Sequence, residues 1–173
     1  MGFIQKLKSV FFGAALTAAA AGTMYTVNQL QTTPLKRELP SNEYQMVVTY
    51  KDALQNYFGR GNEDKTIFDY YLVANVGINK LLSQNSLSPH EKEDILLAIQ
   101  KMEEIANSKS FKNKYHLRKL QLAGKEDRQV IHGRPMSDKE LRARIEAYET
   151  VFALHKKVKE LFLQIYFNNT NGH

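Results

Sequence analysis

The stretch that decides the fold is SDKELRARIEAYETVFALHKKVKELFLQIYF, residues 137–167. It opens with Ser137 and, three residues later, Glu140, the pair that forms the reciprocal capping box of a helix. Met136 and Leu141 occupy the hydrophobic staple positions around that start. The side chains of one face then recur at helical spacing, at Leu141, Ile145, Tyr148, Phe152, His155, Val158, Phe162 and Ile165. This pattern predicts one long amphipathic helix.

Four shorter helices are predicted before this one. A helix over 42–58 has Ser41 as its expected N-cap. The next, over about 64–83, is apolar on nearly every side, as is typical of a central helix. The third begins at SPHE, residues 88–91, which combines an N-cap serine, a proline at the first helical position and a capping-box glutamate. A weaker helix follows over 110–123. The chain is therefore expected to be all-α, an up-down bundle of four to five helices.

The N-terminal segment has the composition of a targeting signal or a membrane anchor. Lys6 and Lys8 precede an uncharged run whose most apolar part is Val10–Val27. That length is the lower limit for a membrane span, and alanine fills much of it. A retained anchor is the first interpretation. A secretory signal cleaved near Ala21 is the second, and an organellar presequence or a buried helix is the third.

The spacing of small residues favours a retained anchor that packs against other helices. Ala14, Ala18 and Gly22 recur every four residues, a spacing that lets a partner helix approach closely within a bilayer. Lys6 and Lys8 place the amino terminus on the cytoplasmic side, because positive flanks tend to remain there. The remainder of the chain is then extracytoplasmic, in the periplasm or its organellar equivalent. After cleavage it would be a soluble secreted or periplasmic protein.

Amino-acid composition and helix-breaking residues divide the chain into four parts. Residues 1–28 are the signal or anchor, 29–40 a proline-containing linker, 41–167 one helical domain, and 168–173 a polar tail. The chain of 173 residues contains no cysteine. Disulfides, thiolate metal sites and a cysteine nucleophile are therefore excluded.

The net positive charge of the chain is concentrated in one stretch between Asn107 and Arg134. Eight lysines and arginines minus two acidic residues leave +6, which equals the formal charge of the whole chain. The candidate binding surface consists of Lys109, Lys112, Lys114, His116, Arg118, Lys119, Lys125, Arg128, His132 and Arg134. Such a surface suits an acidic protein or anionic lipid headgroups, and nucleic acid is the least favoured partner. The alternative is a solvated face on a helix that docks through its aromatic side chains.

The sequence contains little that indicates a catalytic or metal site. No two histidines have metal-ligand spacing on one helix, and the phosphate-binding, nucleophile-elbow and zinc-protease motifs are absent from the sequence. No metal and no cofactor are expected. One unusual loop, His132-Gly133-Arg134-Pro135, places an imidazole near a guanidinium, and the two could bind an anion together. A tight turn before the last helix explains its Gly133 and Pro135 equally well, and Arg128–Ile131 just before it could be briefly extended.

These features together predict a non-enzymatic, membrane-associated helical protein, an accessory, assembly or scaffold component of a membrane complex. Its partners would be other subunits of that complex or an acidic protein. The second hypothesis is a secreted or periplasmic protein-binding factor that has lost its signal. The third is an enzyme whose site is dispersed in sequence around His132 and Arg134.

Overall fold

A computed structural model describes residues 34–58, 65–84 and 86–170. These residues are mostly helical, as an all-α fold requires. Within the described residues the elements are α1 (Ser41–Tyr57), α2 (Lys65–Gln84), α3 (Pro89–Asn107), α4 (Lys109–Leu122), β1 (Val130–Ile131), β2 (Arg134–Pro135) and α5 (Asp138–Thr170). The five helices predicted after residue 40 are all present. The extended stretch before the last helix is also present, as the first strand of a short antiparallel hairpin.

The two predicted capping boxes are confirmed. At the start of α3, the Glu91 amide donates to Ser88 Oγ at 3.2 Å, and Glu91 Oε2 accepts from the Ser88 amide at 2.9 Å. At the start of α5, the corresponding distances between Ser137 and Glu140 are 3.3 and 2.8 Å. These contacts satisfy amide groups that the first turn of a helix leaves without partners.

The start of α1 differs from the prediction. The N-cap is Pro40, and no side chain caps the helix, so the expected role of Ser41 was wrong. Proline has a fixed φ and no amide hydrogen, which suits the position just before a helix. Ser41 is instead the first residue of α1.

Part of the expected linker belongs to the folded body. Residues 34–38 are helical, and Leu35 is fully buried in the core. The amide of Leu35 also donates to Asn79 Oδ1 of α2 at 3.2 Å. Two prolines and a threonine pair suggested a linker, but a single buried leucine ties this stretch to α2. The described part of 29–40 is thus a packed segment.

The last helix is three residues longer than predicted. Thr170 Oγ1 donates to the carbonyl of Tyr166 at 2.7 Å, and Asn169 Nδ2 donates to the carbonyl of Ile165 at 2.8 Å. Both bonds run from a side chain to the carbonyl four residues earlier, a local contact that polar side chains form within a helix. The first residues of the expected polar tail, 168–170, are therefore helical.

One core holds the helices together. Helix α2 packs mainly on α3, and α1 packs mainly on α5. One aromatic group, formed by Phe58, Phe111 and Tyr148, joins α1, α4 and α5, with ring centroids 4.8 to 5.3 Å apart. Offset and edge-on rings at such distances add to the stabilisation from burial. This group fixes the orientation of α4, a helix with five lysines and arginines and no acidic residue.

Candidate functional site

Helix α4 lies with its aromatic side against the bundle and its lysines outward. Phe111 is 1 % exposed and Gln121 is 3 % exposed, so this side of the helix is buried. Ser108 caps the helix, with its Oγ accepting from the Phe111 amide at 3.1 Å. Gly124 ends it with a φ of 69°, the left-handed conformation that terminates many helices. The docking role expected for the aromatic residues of this helix is confirmed.

The outer side of α4 carries a row of positive or titratable groups, called here the lysine face: Lys109, Lys112, His116 and Lys119. All four side chains are exposed. Their spacing of three and four residues places them along one side of the helix. Within the part of the chain that the structure describes, no carboxylate pairs with Lys109 or Lys112.

Lys119 is held on an aromatic neighbour. Its ammonium group lies 5.3 Å from the ring centroid of Tyr115 and 3.4 Å from the Tyr115 hydroxyl. A cation over an aromatic face is attracted by the ring's negative face without losing its charge. The Tyr115 hydroxyl in turn donates to Glu149 of α5 at 2.9 Å. Lys119 is therefore oriented but remains an exposed cation.

The arginines of the same stretch have a different role, because each binds a neighbouring segment. Arg118 donates to Gln121 Oε1 at 2.8 Å and to Gln129 Oε1 at 2.5 Å. Arg128 forms an ion pair of 2.5 Å with Asp138 and donates to the Met136 carbonyl at 3.2 Å. These contacts tie the segment between α4 and α5 to both helices. The ten-residue basic surface expected from the sequence thus divides into arginines that bind other residues of the chain and lysines that are exposed, apart from the half-buried Lys114.

Arg134 is bound by a single carboxylate at two points. Its Nη1 and Nη2 donate to the two Glu140 oxygens at 2.8 and 2.7 Å. Bidentate arginine–carboxylate pairs are among the stronger polar contacts in proteins. The hydrogen bonds from Arg134 and from Ser137 lower the pKa of the Glu140 carboxyl, and the same pair raises the pKa of Arg134. The guanidinium therefore has an internal counter-ion and is not set out to receive an external anion.

His132 lies at the tip of the hairpin. His132 and Gly133 have φ values of 50° and 76°, and positive φ at both central residues is the requirement of a type I′ turn. Ile131 pairs with Arg134 across that turn, and the Met136 amide donates to the Gln129 carbonyl at 3.0 Å. The imidazole is exposed. Gly133 is thus explained by the turn, the alternative that the sequence left open for this loop.

Two lysines of the candidate surface, Lys125 and Lys114, lie outside the lysine face. Lys125 is exposed just beyond the end of α4. Lys114 is half-buried on the side toward the bundle and has an interaction of its own. Two leucines are exposed next to the lysine face, Leu117 at 38 % and Leu120 at 40 %. The outer half of α4 therefore offers cations and apolar surface together.

Other candidate sites are few in the described residues. No group of three or more metal-ligating side chains comes together there. An open groove of about 450 Å³ lies between the start of α1 and the second half of α5, lined by Asn42, Glu43, Met46, Leu154, Lys157, Glu160, Leu161 and Gln164. None of the residues of the predicted basic surface lines it.

The predicted anchor residues Ala14, Ala18 and Gly22 lie outside the described residues. Among the helices that the structure does describe, none combines the length and the apolar character needed to cross a bilayer. Comparisons with protein-family models, with curated proteins and with solved structures gave no match.

One polar contact escaped the sequence reasoning altogether. His155, one of the residues on the recurring face of the last helix, is buried, at 7 % exposure. Its Nδ1 lies 2.9 Å from the hydroxyl of Tyr50 on α1, whereas no described group bonds its Nε2. The imidazole is therefore only half satisfied. The one signal in the sequence was a histidine on an apolar stripe, which does not reveal a partner on another helix.

Proposed function

We propose that this protein is a non-enzymatic, membrane-associated accessory or scaffold component of a membrane complex, and that the lysine face of α4 docks on an acidic surface of a partner protein. The observation that carries the proposal is the division of the basic stretch. Its arginines bind neighbouring segments of the chain, whereas Lys109 and Lys112 point outward without a carboxylate partner among the described residues. Unmatched charge of one sign on a fixed helix steers and orients a partner of opposite charge.

The apolar surface beside the lysines favours a protein partner over lipid headgroups. Leu117 and Leu120 are each less than half exposed, so they offer a shallow contact and not a side chain that inserts among acyl chains. Protein interfaces combine such partly buried apolar contacts with a charged rim. The partner is therefore expected to present carboxylates opposite the lysine face and an apolar patch opposite the two leucines.

The membrane association rests on the N-terminal sequence. Lys6 and Lys8 followed by the uncharged run Val10–Val27 support a retained anchor helix with the body on the extracytoplasmic side. Ala14, Ala18 and Gly22 would pack that anchor against other transmembrane helices of the complex. The body that follows is proposed to be an up-down bundle of its five helices. A soluble secreted or periplasmic binding factor would use the same lysine face after losing its signal.

The membrane part is tested by the intact mass of the natively produced protein and by its distribution between carbonate-washed membranes and the soluble fraction. The proposal expects the full-length mass in the membrane fraction. A mature chain that begins near Gly22 and is soluble would contradict the anchor and support the secreted alternative.

The docking part is tested by site-specific photo-crosslinking. Because the chain contains no cysteine, Leu120→Cys in the full chain provides one thiol for a photoreactive label. Gln100→Cys, at an exposed position of α3, is the matched control. In native membranes, the label at position 120 should give one protein adduct, identified by mass spectrometry, that the label at position 100 does not give.

The outcome also separates the possible partners. The adduct should be lost when Lys112 and Lys119 are replaced by glutamate, and the crosslinked peptide should be rich in acidic residues. Lipid adducts alone would show that the face meets headgroups. Equal adducts from both positions would show that α4 is ordinary surface.

A further inference from the structure

Helices α1 and α5 are joined by a buried polar contact as well as by apolar packing. The hydroxyl of Tyr50 on α1 and Nδ1 of His155 on α5 are 2.9 Å apart. Tyr50 is fully buried and His155 is 7 % exposed. A hydrogen bond shielded from water in this way is strong while both groups remain neutral. It also depends on the protonation state of the imidazole.

The other ring nitrogen of His155 has no partner. Nε2 is buried, and no described group lies within hydrogen-bonding distance of it. In the neutral ring one nitrogen is a donor and the other an acceptor, whereas in the charged ring both are donors. Whichever neutral tautomer is present, the charged ring would hold a positive charge in the interior together with an unpaired N–H at Nε2. Both are costly unless water reaches the ring.

The groups around His155 come from four helices. Tyr50 is the α1 group, and Tyr71 of α2 packs on Tyr50 with ring centroids 5.8 Å apart. Glu103 of α3 and Lys159 of α5 act on the imidazole with opposite signs, and they pair with each other at 2.6 Å. Burial is the largest effect and lowers the pKa of His155 below its ordinary value of 6.5. The surroundings thus hold the ring neutral.

We propose that Tyr50 and His155 form an acid-sensitive latch, in which a proton taken up from solvent by the imidazole releases α1 from α5. The direction follows from linkage. The pKa of His155 is lower in the closed state than its ordinary value of 6.5, so the latch is fully closed above about pH 6.5. As the pH falls from there toward the closed-state pKa, the opening equilibrium rises by up to about tenfold per pH unit.

The consequence of opening is local to one side of the bundle. Helix α1 packs mainly on α5, while α2 packs mainly on α3. Residues 34–40 lead directly into α1, so its release would loosen the connection between the N-terminal part of the chain and the helical body. The α4 face is held by Phe111 and by the hairpin contacts, in which His155 takes no part.

Amide hydrogen exchange of the full chain tests the latch, measured from about pH 7.5 to about pH 5 and corrected for intrinsic exchange. The α1 amides are expected to lose protection by up to about tenfold per unit below pH 6.5, while the α3 amides keep theirs. His155→Asn retains an amide that can donate or accept near the Nδ1 position and cannot titrate, so its α1 protection should be independent of pH. His116→Asn, at an exposed histidine of α4, should leave the profile unchanged.

Two further variants predict shifts of opposite sign. Glu103→Gln removes the anion that favours the charged ring in the closed state, so the loss of α1 protection at low pH becomes larger. Lys159→Gln removes the cation that disfavours the charged ring, so the loss of α1 protection at low pH becomes smaller. An imidazole NMR titration of His155 in the unaltered chain gives the same information if His155→Asn does not fold. Constant α1 protection down to about pH 5, equal loss in all helices, or an unchanged profile in His155→Asn would each overturn the latch.

Discussion

Gly77 lies at a close approach between α2 and α3, where a larger residue is expected to be destabilising. A Cβ atom at this position would lie 2.3 Å from Cγ1 and 2.5 Å from Cδ1 of Ile95. Ile95 is 1 % exposed and lies within α3, so its side chain is enclosed on all sides. It is also β-branched, which restricts its rotamers in a helix. In Gly77→Ala, either the Ile95 side chain must change its rotamer or α2 and α3 must move apart.

The size of the effect follows from two opposing contributions. Alanine in a helix interior is favoured over glycine by about 1 kcal/mol. Overpacking a tight core costs about 1–3 kcal/mol. Gly77→Ala should therefore lower the free energy of unfolding by about 1 kcal/mol, the difference between a middle value of overpacking and the propensity gain.

Urea denaturation followed by circular dichroism measures this change, and a second background isolates the contact. In Ile95→Ala the obstructing atoms are gone, so Gly77→Ala should raise stability by about 1 kcal/mol. The coupling between the two sites is then about 2 kcal/mol. Asn113→Ala, at an exposed position of α4, is the control for helix propensity alone. If Gly77→Ala is equally stabilising with and without Ile95, the close approach of α2 and α3 is refuted.

Two further predictions concern the charged helix starts. Hydrogen bonds from Lys80 and from the Ser88 amide lower the pKa of Glu91 to about 2. The ionised carboxylate therefore contributes to the free energy of unfolding above about pH 4.5, and this contribution is lost as the pH falls toward 2. Because the pair is partly exposed, Glu91→Gln should cost about 1 kcal/mol or less at neutral pH in urea denaturation and almost nothing in acid. Glu140→Gln should release Arg134 and give several-fold faster amide hydrogen exchange across residues 130–135. If the exchange rates equal those of the unaltered chain, the Arg134–Glu140 pair does not stabilise the hairpin.

The helix starts could be predicted from the sequence because capping is local. Ser88 with Glu91, and Ser137 with Glu140, form their bonds within four residues, so the pattern itself contains both partners. Ser41 shows the limit of this reasoning. A serine at a suitable place suggested a cap, but the helix begins one residue earlier, after Pro40.

Contacts between distant residues could not be predicted in this way. Leu35 follows a threonine pair and a proline, and only the fold shows that it enters the core beside Asn79. Tyr50 and His155 are more than a hundred residues apart, and each alone fits an apolar stripe. Pairing of this kind depends on how α1 lies on α5, which periodicity does not specify.

The candidate site was predicted as a region but not in its division of roles. The sequence placed arginines and lysines of the stretch in one class because both carry a positive charge. The planar guanidinium forms several directed bonds at once, whereas the lysine ammonium remains hydrated on a flexible stem. Arg134 of β2 accordingly binds Glu140 in the first turn of α5, while Lys112 is exposed to solvent.

The central claim, docking through the lysine face, is tested most directly by charge reversal combined with the crosslink from Leu120→Cys. Lys109, Lys112 and Lys119 are replaced together by glutamate, and two exposed lysines elsewhere, Lys36 and Lys139, are replaced in the control. We expect the yield of the protein adduct in native membranes to fall by about tenfold or more with the α4 replacements, since several rim charge pairs are lost together. The control should retain its adduct. An equal yield from both variants would contradict docking through α4.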